Sequence, residues 1–110
     1  MKPATRRQRR NIDQISSAFL EFIREQPCCV CVRYETRQTQ PTEASHCGDR
    51  GLGQKASDFT ALPMCARHHR IGPSAIHVLG RRFWSTHSLD RDKLIAHYNQ
   101  LFESRIEVFA

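Results

Sequence analysis

Two short segments constrain this chain more than anything else in it: Cys28-Cys29-Val30-Cys31 and, well downstream, Cys65-Ala66-Arg67-His68-His69. The first contains a C-x-x-C pair and the second a C-x-x-H pair. A tight turn offers both members of such a pair to one ion, and two pairs complete the tetrahedral shell of a structural zinc. Cys28, Cys31, Cys65 and His68 are therefore the expected zinc ligands, three thiolates and an imidazole being a donor set that suits zinc. Spacing alone leaves Cys29 as an alternative to Cys28, and His69 as an alternative to His68. The pairs stand farther apart than in a DNA-reading zinc finger, and the intervening stretch has the size of a ββ hairpin. Cys47 is expected to be a small apolar residue.

A metal staple suits the length. A chain of 110 residues makes one domain with a modest core. No apolar run is long enough to cross a bilayer, and the charged N-terminal stretch does not lead into an apolar one, so a secreted or membrane protein is not expected. Five cysteines without a secretory signal fit a reducing cytoplasm, where clustered cysteines bind metal more often than they pair. The excess of 17 Lys+Arg over 11 Asp+Glu, with a pI near 9.5, favours an anionic partner. Arg6, Arg7, Arg9 and Arg10 share the first ten residues with Lys2 and with no acidic residue. Residues 1–10 are thus expected to form a disordered basic tail that lies along a phosphate backbone, with one domain over 11–110.

Ile12, Ile15, Phe19, Phe22 and Ile23 recur at helical spacing and predict a helix from Asn11 to Glu25, capped near Asn11 or Asp13 and stopped by Pro27. Residues 28–34 read as a knuckle leading into a short strand, and 36–42 as polar linker. Strands are expected at 43–47 and 59–64, joined by a loop carrying Gly48, Gly51 and Gly53 in which Arg50 and Lys55 could meet a phosphate. A helix is expected from Pro73 through Trp84, weakened by Gly80, and a last helix opens at the N-cap Asp90 with Leu94, Ile95, Tyr98, Leu101 and Phe102.

Histidines remain once four zinc ligands are counted. His46 ends the first expected strand and could serve as a general base. His69 would point away from His68 around a short helix and could ligate a second metal, with His77 as its companion and Asp58 as an oxygen ligand or orienting group. His87 and His97 read as structural residues without partners.

In order along the chain, Cys28-x-x-Cys31, Ala44-Ser45-His46, the segment from Gly51 to Asp58, Leu62-Pro63-Met64-Cys65-Ala66-Arg67-His68-His69 and Ile76-His77-x-x-Gly80 resemble the HNH (ββα-metal) endonuclease superfamily. More narrowly they are similar to the phage and prophage RecA-dependent nucleases of the Ref type. The resemblance covers roughly residues 26–88. It implies an α+β, treble-clef-like core, zinc-stapled and flanked by N- and C-terminal helices. It further implies a cytoplasmic, phage- or prophage-derived DNA endonuclease with His46 as base and a catalytic cation (magnesium, manganese or zinc) at His69 and His77. Asp58 stands about where these enzymes carry an asparagine. By resemblance alone, a recombination protein–DNA filament is a further partner. The chain departs from the pattern at Ser45, where many relatives place a metal ligand, and at His68, where relatives often have cysteine. The alternative expectation is a zinc-stapled nucleic-acid-binding module without catalysis.

Overall fold

The computed structural model describes residues 15–49 and 56–109, with side chains to Arg105. The basic tail with Arg6, Arg7, Arg9 and Arg10, and the loop segment with Arg50 and Lys55, lie outside those residues. Helix α1 (Ser17–Arg24) starts where Ser16 stays extended at φ −152° and its side-chain oxygen accepts the Phe19 N–H at 3.1 Å. That cap replaces the expected Asn11 or Asp13 start, both of which lie outside the described residues. Phe19, Phe22 and Ile23 then share one face and are buried, whereas Ile15 is half exposed and precedes the helix.

The stretch expected to enter a strand is instead helix α2 (Cys29–Arg33). The β-branched Val30 and Val32 favour a strand locally, but one helical turn sets residues three apart on one side, and Cys28 and Cys31 must face the same point. The linker that follows is not idle. The Gln38 side-chain oxygen accepts the Cys28 N–H at 2.7 Å, its amide donates to Thr42 Oγ1 at 2.9 Å, and Gln40 accepts the Arg67 N–H at 3.0 Å. These contacts tie both ligand-bearing turns to the start of the sheet.

Strands β1 (Thr42–His46) and β2 (Ala61–Cys65) pair antiparallel, with Thr42 opposite Cys65 and His46 opposite Ala61. A 3-10 turn, Asp58–Thr60, leads into β2, so the second strand starts two residues later than the sequence pattern suggested. Gly48 passes so close to Thr60 that a Cβ there would collide with the threonine side chain. All of β2 is buried, whereas β1 buries only Ser45.

After β2 come a turn of π-helix, Arg67–Ile71, and two short helices, α3 (Ile76–Leu79) and α4 (Arg82–Thr86). The single helix expected from Pro73 to Trp84 is broken at Gly80, which takes φ +58°, outside the helical region. Helix α5 (Arg91–Phe109) opens on Asp90, whose carboxylate accepts the Lys93 N–H at 3.1 Å, as its capping role requires.

Phe19 sits at the centre of the core, its ring 5.2 Å from those of Phe59 and Phe102, with Leu62, Met64, Val30 and Phe83 buried around it. The fold is small and α+β, a two-stranded antiparallel sheet covered by helices. Among the described residues no helix is long and apolar enough to cross a membrane.

Candidate functional site

Cys28, Cys31, Cys65 and His68 converge, their donor atoms all within 4.8 Å of one another, and each is buried. His68 Nδ1 lies 3.5, 3.7 and 3.3 Å from the sulfurs of Cys28, Cys31 and Cys65, and Cys31 Sγ lies 4.0 Å from Cys65 Sγ. A tetrahedral ion about 2.3 Å from sulfur and 2.0 Å from nitrogen spaces its donors about 3.5–3.8 Å apart, so these positions fit one with small adjustment. Burial, then the neighbouring Cys28 and Cys65 sulfurs, pushes the Cys31 thiol up to about 12. Only a bound cation would hold such a group as a thiolate at neutral pH. Burial, then His87 and Arg67, lowers the pKa of His68 and keeps it a neutral donor.

The geometry resolves the choices that spacing left open. Cys29 is buried in the core outside the cluster, and burial raises its pKa beyond the usual thiol range. Cys47 is buried too, its pKa raised to about 11 by burial, and its thiol donates to the Ser45 carbonyl at 3.2 Å. All five cysteines are free thiols.

His46 ends β1 beside the turn that enters β2, and its Nε2 lies 2.8 Å from Asp58 Oδ1. Asp58 Oδ2 accepts the Ser16 N–H, also at 2.8 Å, so the same carboxylate holds the entrance of α1. Asp58 is buried while the His46 side chain is one-third exposed. A carboxylate only accepts, which puts the ring proton on Nε2 and leaves Nδ1 with the lone pair.

His69 and His77 meet edge to face with ring centroids 4.6 Å apart. The π turn separates adjacent histidines, His68 turning to the sulfurs and His69 to Glu43, whose Oε1 accepts from His69 Nδ1 at 2.9 Å. Arg70 grips the same carboxylate through Nε at 3.0 Å and Nη2 at 2.8 Å. The Arg70 hydrogen bonds lower the Glu43 pKa to about 2, with His69 adding to the effect. His69 itself is shifted down, burial outweighing the Glu43 contact. Its Nε2 therefore offers a lone pair, and a carboxylate behind a histidine in this way is the usual support of a metal ligand. Glu43 had no local signal, being 26 residues from its partner. Among the described residues only the cysteine cluster groups three or more metal-ligating side chains.

Ser45 turns inward, 2% exposed, with its hydroxyl 3.5 Å from Cys47 Sγ. His87 does have partners: its Nε2 donates to the Ser74 carbonyl at 2.9 Å and its Nδ1 accepts from Tyr34 Oη at 2.9 Å. His97 stays exposed on α5.

A family model described as a protein of unknown function, DUF968, matches residues 5–90. No curated protein and no solved structure matches the chain. The family match runs through every residue of the cysteine cluster and through His46, Asp58, His69 and His77, and the chain belongs to the DUF968 family.

Proposed function

We propose that this chain is a metal-dependent DNA endonuclease of the HNH (ββα-metal) class, working in the cytoplasm, with structural zinc at Cys28, Cys31, Cys65 and His68. The observation that carries the reading is the 2.8 Å bond from His46 to the buried Asp58, which leaves Nδ1 of a solvent-reached imidazole with its lone pair. Support also comes from the order of elements, two antiparallel strands followed by short helical turns, with His46 closing the first strand and His69 and His77 following the second.

In this reading Nδ1 of His46 takes the proton of the attacking water, while Asp58 holds the ring and balances the imidazolium that forms. His69 and His77 would hold a divalent cation (magnesium, manganese or zinc), which would supply charge at the scissile phosphate and leaving oxygen. Glu43 keeps His69 Nδ1 protonated and its Nε2 turned outward. Arg6, Arg7, Arg9, Arg10 and Lys55 add sequence-independent attraction to the strand.

A second reading, a zinc-stapled nucleic-acid-binding module without catalysis, is favoured by one observation. Ser45 is buried against Cys47 instead of standing beside the histidines, so it adds no donor there. Plasmid nicking separates the two. Protein that keeps its structural zinc but is freed of other divalent ions is resupplied with magnesium, manganese, zinc or nickel beside His46→Ala, with zinc content measured on both. Cleavage that needs added metal and disappears in the variant at unchanged zinc supports the nuclease. No cleavage with any ion, alongside salt-sensitive DNA binding, supports the module.

A further inference from the structure

A cavity of about 350 Å³ opens on the outer side of the cysteine cluster, a size within the range of small-ligand pockets. It is lined by the buried His68 and His87, by Arg67 and by the hydroxyl-bearing Tyr34, Thr36, Ser74 and Thr86. The two histidines differ in state. His87 is satisfied at both nitrogens, as described above. His68 is not. Its Nδ1 faces the three sulfurs, so with a metal bound there the ring proton sits on Nε2.

A metal-bound histidine almost always passes its second N–H to a carbonyl, a carboxylate or water. No described residue accepts from His68 Nε2, and no buried side-chain nitrogen among the described residues is left without a partner, so this nitrogen opens to solvent where His68 lines the cavity. The Arg67 side chain likewise pairs with no described carboxylate; its backbone N–H is engaged by Gln40 and its carbonyl by the Gly72 N–H. The side-chain hydroxyls of Ser74 and Thr86 make no hydrogen bond to a described residue. One cationic side chain, Arg67, and the neutral N–H and O–H donors of His68, Ser74 and Thr86 therefore line a cavity that no acidic residue lines.

We propose that this cavity is a phosphate-binding site, in which an oxyanion accepts from His68 Nε2 and the Arg67 guanidinium, with Ser74 and Thr86 completing its hydrogen bonds. The site rests on metal occupancy of the cysteine cluster, and in the nucleic-acid reading it takes a backbone phosphate away from the scissile one. Charge-assisted bonds of this kind carry much of the binding in an oxyanion site, so losing the guanidinium weakens it about tenfold or more.

The test uses the zinc-loaded full chain and ¹⁵N NMR of the His68 imidazole and the Arg67 Nε–H. One arm titrates inorganic phosphate and the other a short single-stranded oligonucleotide without terminal phosphate. Both are repeated with Arg67→Gln, whose zinc content is checked. Saturable shifts at both residues, weakened about tenfold in the variant, are the expected result. A lower half-saturation concentration for the oligonucleotide identifies the strand as the source. Saturation by phosphate alone keeps the site but rejects the strand as its ligand. Absence of saturable shifts in either arm, or shifts that Arg67→Gln leaves unchanged, overturns the proposal. Plasmid nicking is independent of this readout: phosphate binding without cleavage sinks the nuclease and not this site.

Discussion

Replacing Asp58 by asparagine preserves volume and removes only the charge and one acceptor. The HNH enzymes that the sequence resembles carry asparagine at about this place, so the resemblance alone predicts tolerance. The hydrogen bonds predict otherwise. The carboxylate accepts from His46 Nε2 and from the Ser16 N–H, each at 2.8 Å. Bonds to a charged acceptor contribute about 1.5–3 kcal/mol each. An amide keeps one as a neutral bond of about 1 kcal/mol and turns its NH₂ toward the other donor, at a cost of about 1–3 kcal/mol. The net loss is about 2–4 kcal/mol, a large share of the stability of a domain this size. Urea unfolding at fixed excess zinc should show a midpoint lowered by about 1 M or more. If the amide NH₂ faces His46, the ring must accept at Nε2 and carry its proton on Nδ1, which ¹⁵N shifts report directly. That flip would remove the base of the proposed nuclease, and an aspartate-to-asparagine change beside a catalytic histidine costs about ten-thousand-fold elsewhere. A stability within about 0.5 kcal/mol of the parent, together with an unchanged His46 tautomer, would refute the reasoning.

Three further outcomes are expected. Stripping metal with a strong chelator, or Cys65→Ala, should unfold the chain by far-UV circular dichroism, because structural zinc contributes about 10 kcal/mol or more in small domains. Phe19→Ala removes a fully buried ring packed on Phe59 and Phe102, and should cost about 3–5 kcal/mol in the same urea assay. An NMR titration without a second cation should place His69 below the usual 6.5, since burial lowers it, and Glu43→Gln should lower it further by removing the partner that raises it. Because the folded value is depressed, the His69 contribution to stability is present above 6.5 and is lost as pH falls from there toward the folded value.

The cysteine–histidine cluster was legible because zinc geometry fixes residue type and spacing, but the choice of Cys28 over Cys29 and of His68 over His69 came only with the fold. The paired strands were legible from short runs on either side of a glycine-bearing loop, the second of them mostly apolar, and the Asp90 cap from local capping chemistry. What escaped was set at long range. Val30 and Val32 suggested a strand, and the need to aim Cys28 and Cys31 at one point made a helix. Glu43 finds His69 across 26 residues, and Tyr34 finds His87 across 53, neither separation leaving a periodic trace. Gln38 and Gln40 looked like linker because their side chains bond to backbone of segments elsewhere in the fold.

The π turn from Arg67 to Ile71 sets two consecutive histidines to unrelated tasks. Each residue of a helical turn rotates the next by about 100°, so direction here is a matter of counting. Deleting one residue between Cys65 and His69 would swing one histidine into phase with the sulfurs and take the other away from Glu43. Side chains such as Ala66 and Arg67 can change with little effect on that phase, whereas a gain or loss of a single position breaks it. This stretch should therefore tolerate substitution far better than insertion or deletion, and its length should vary less than its spelling.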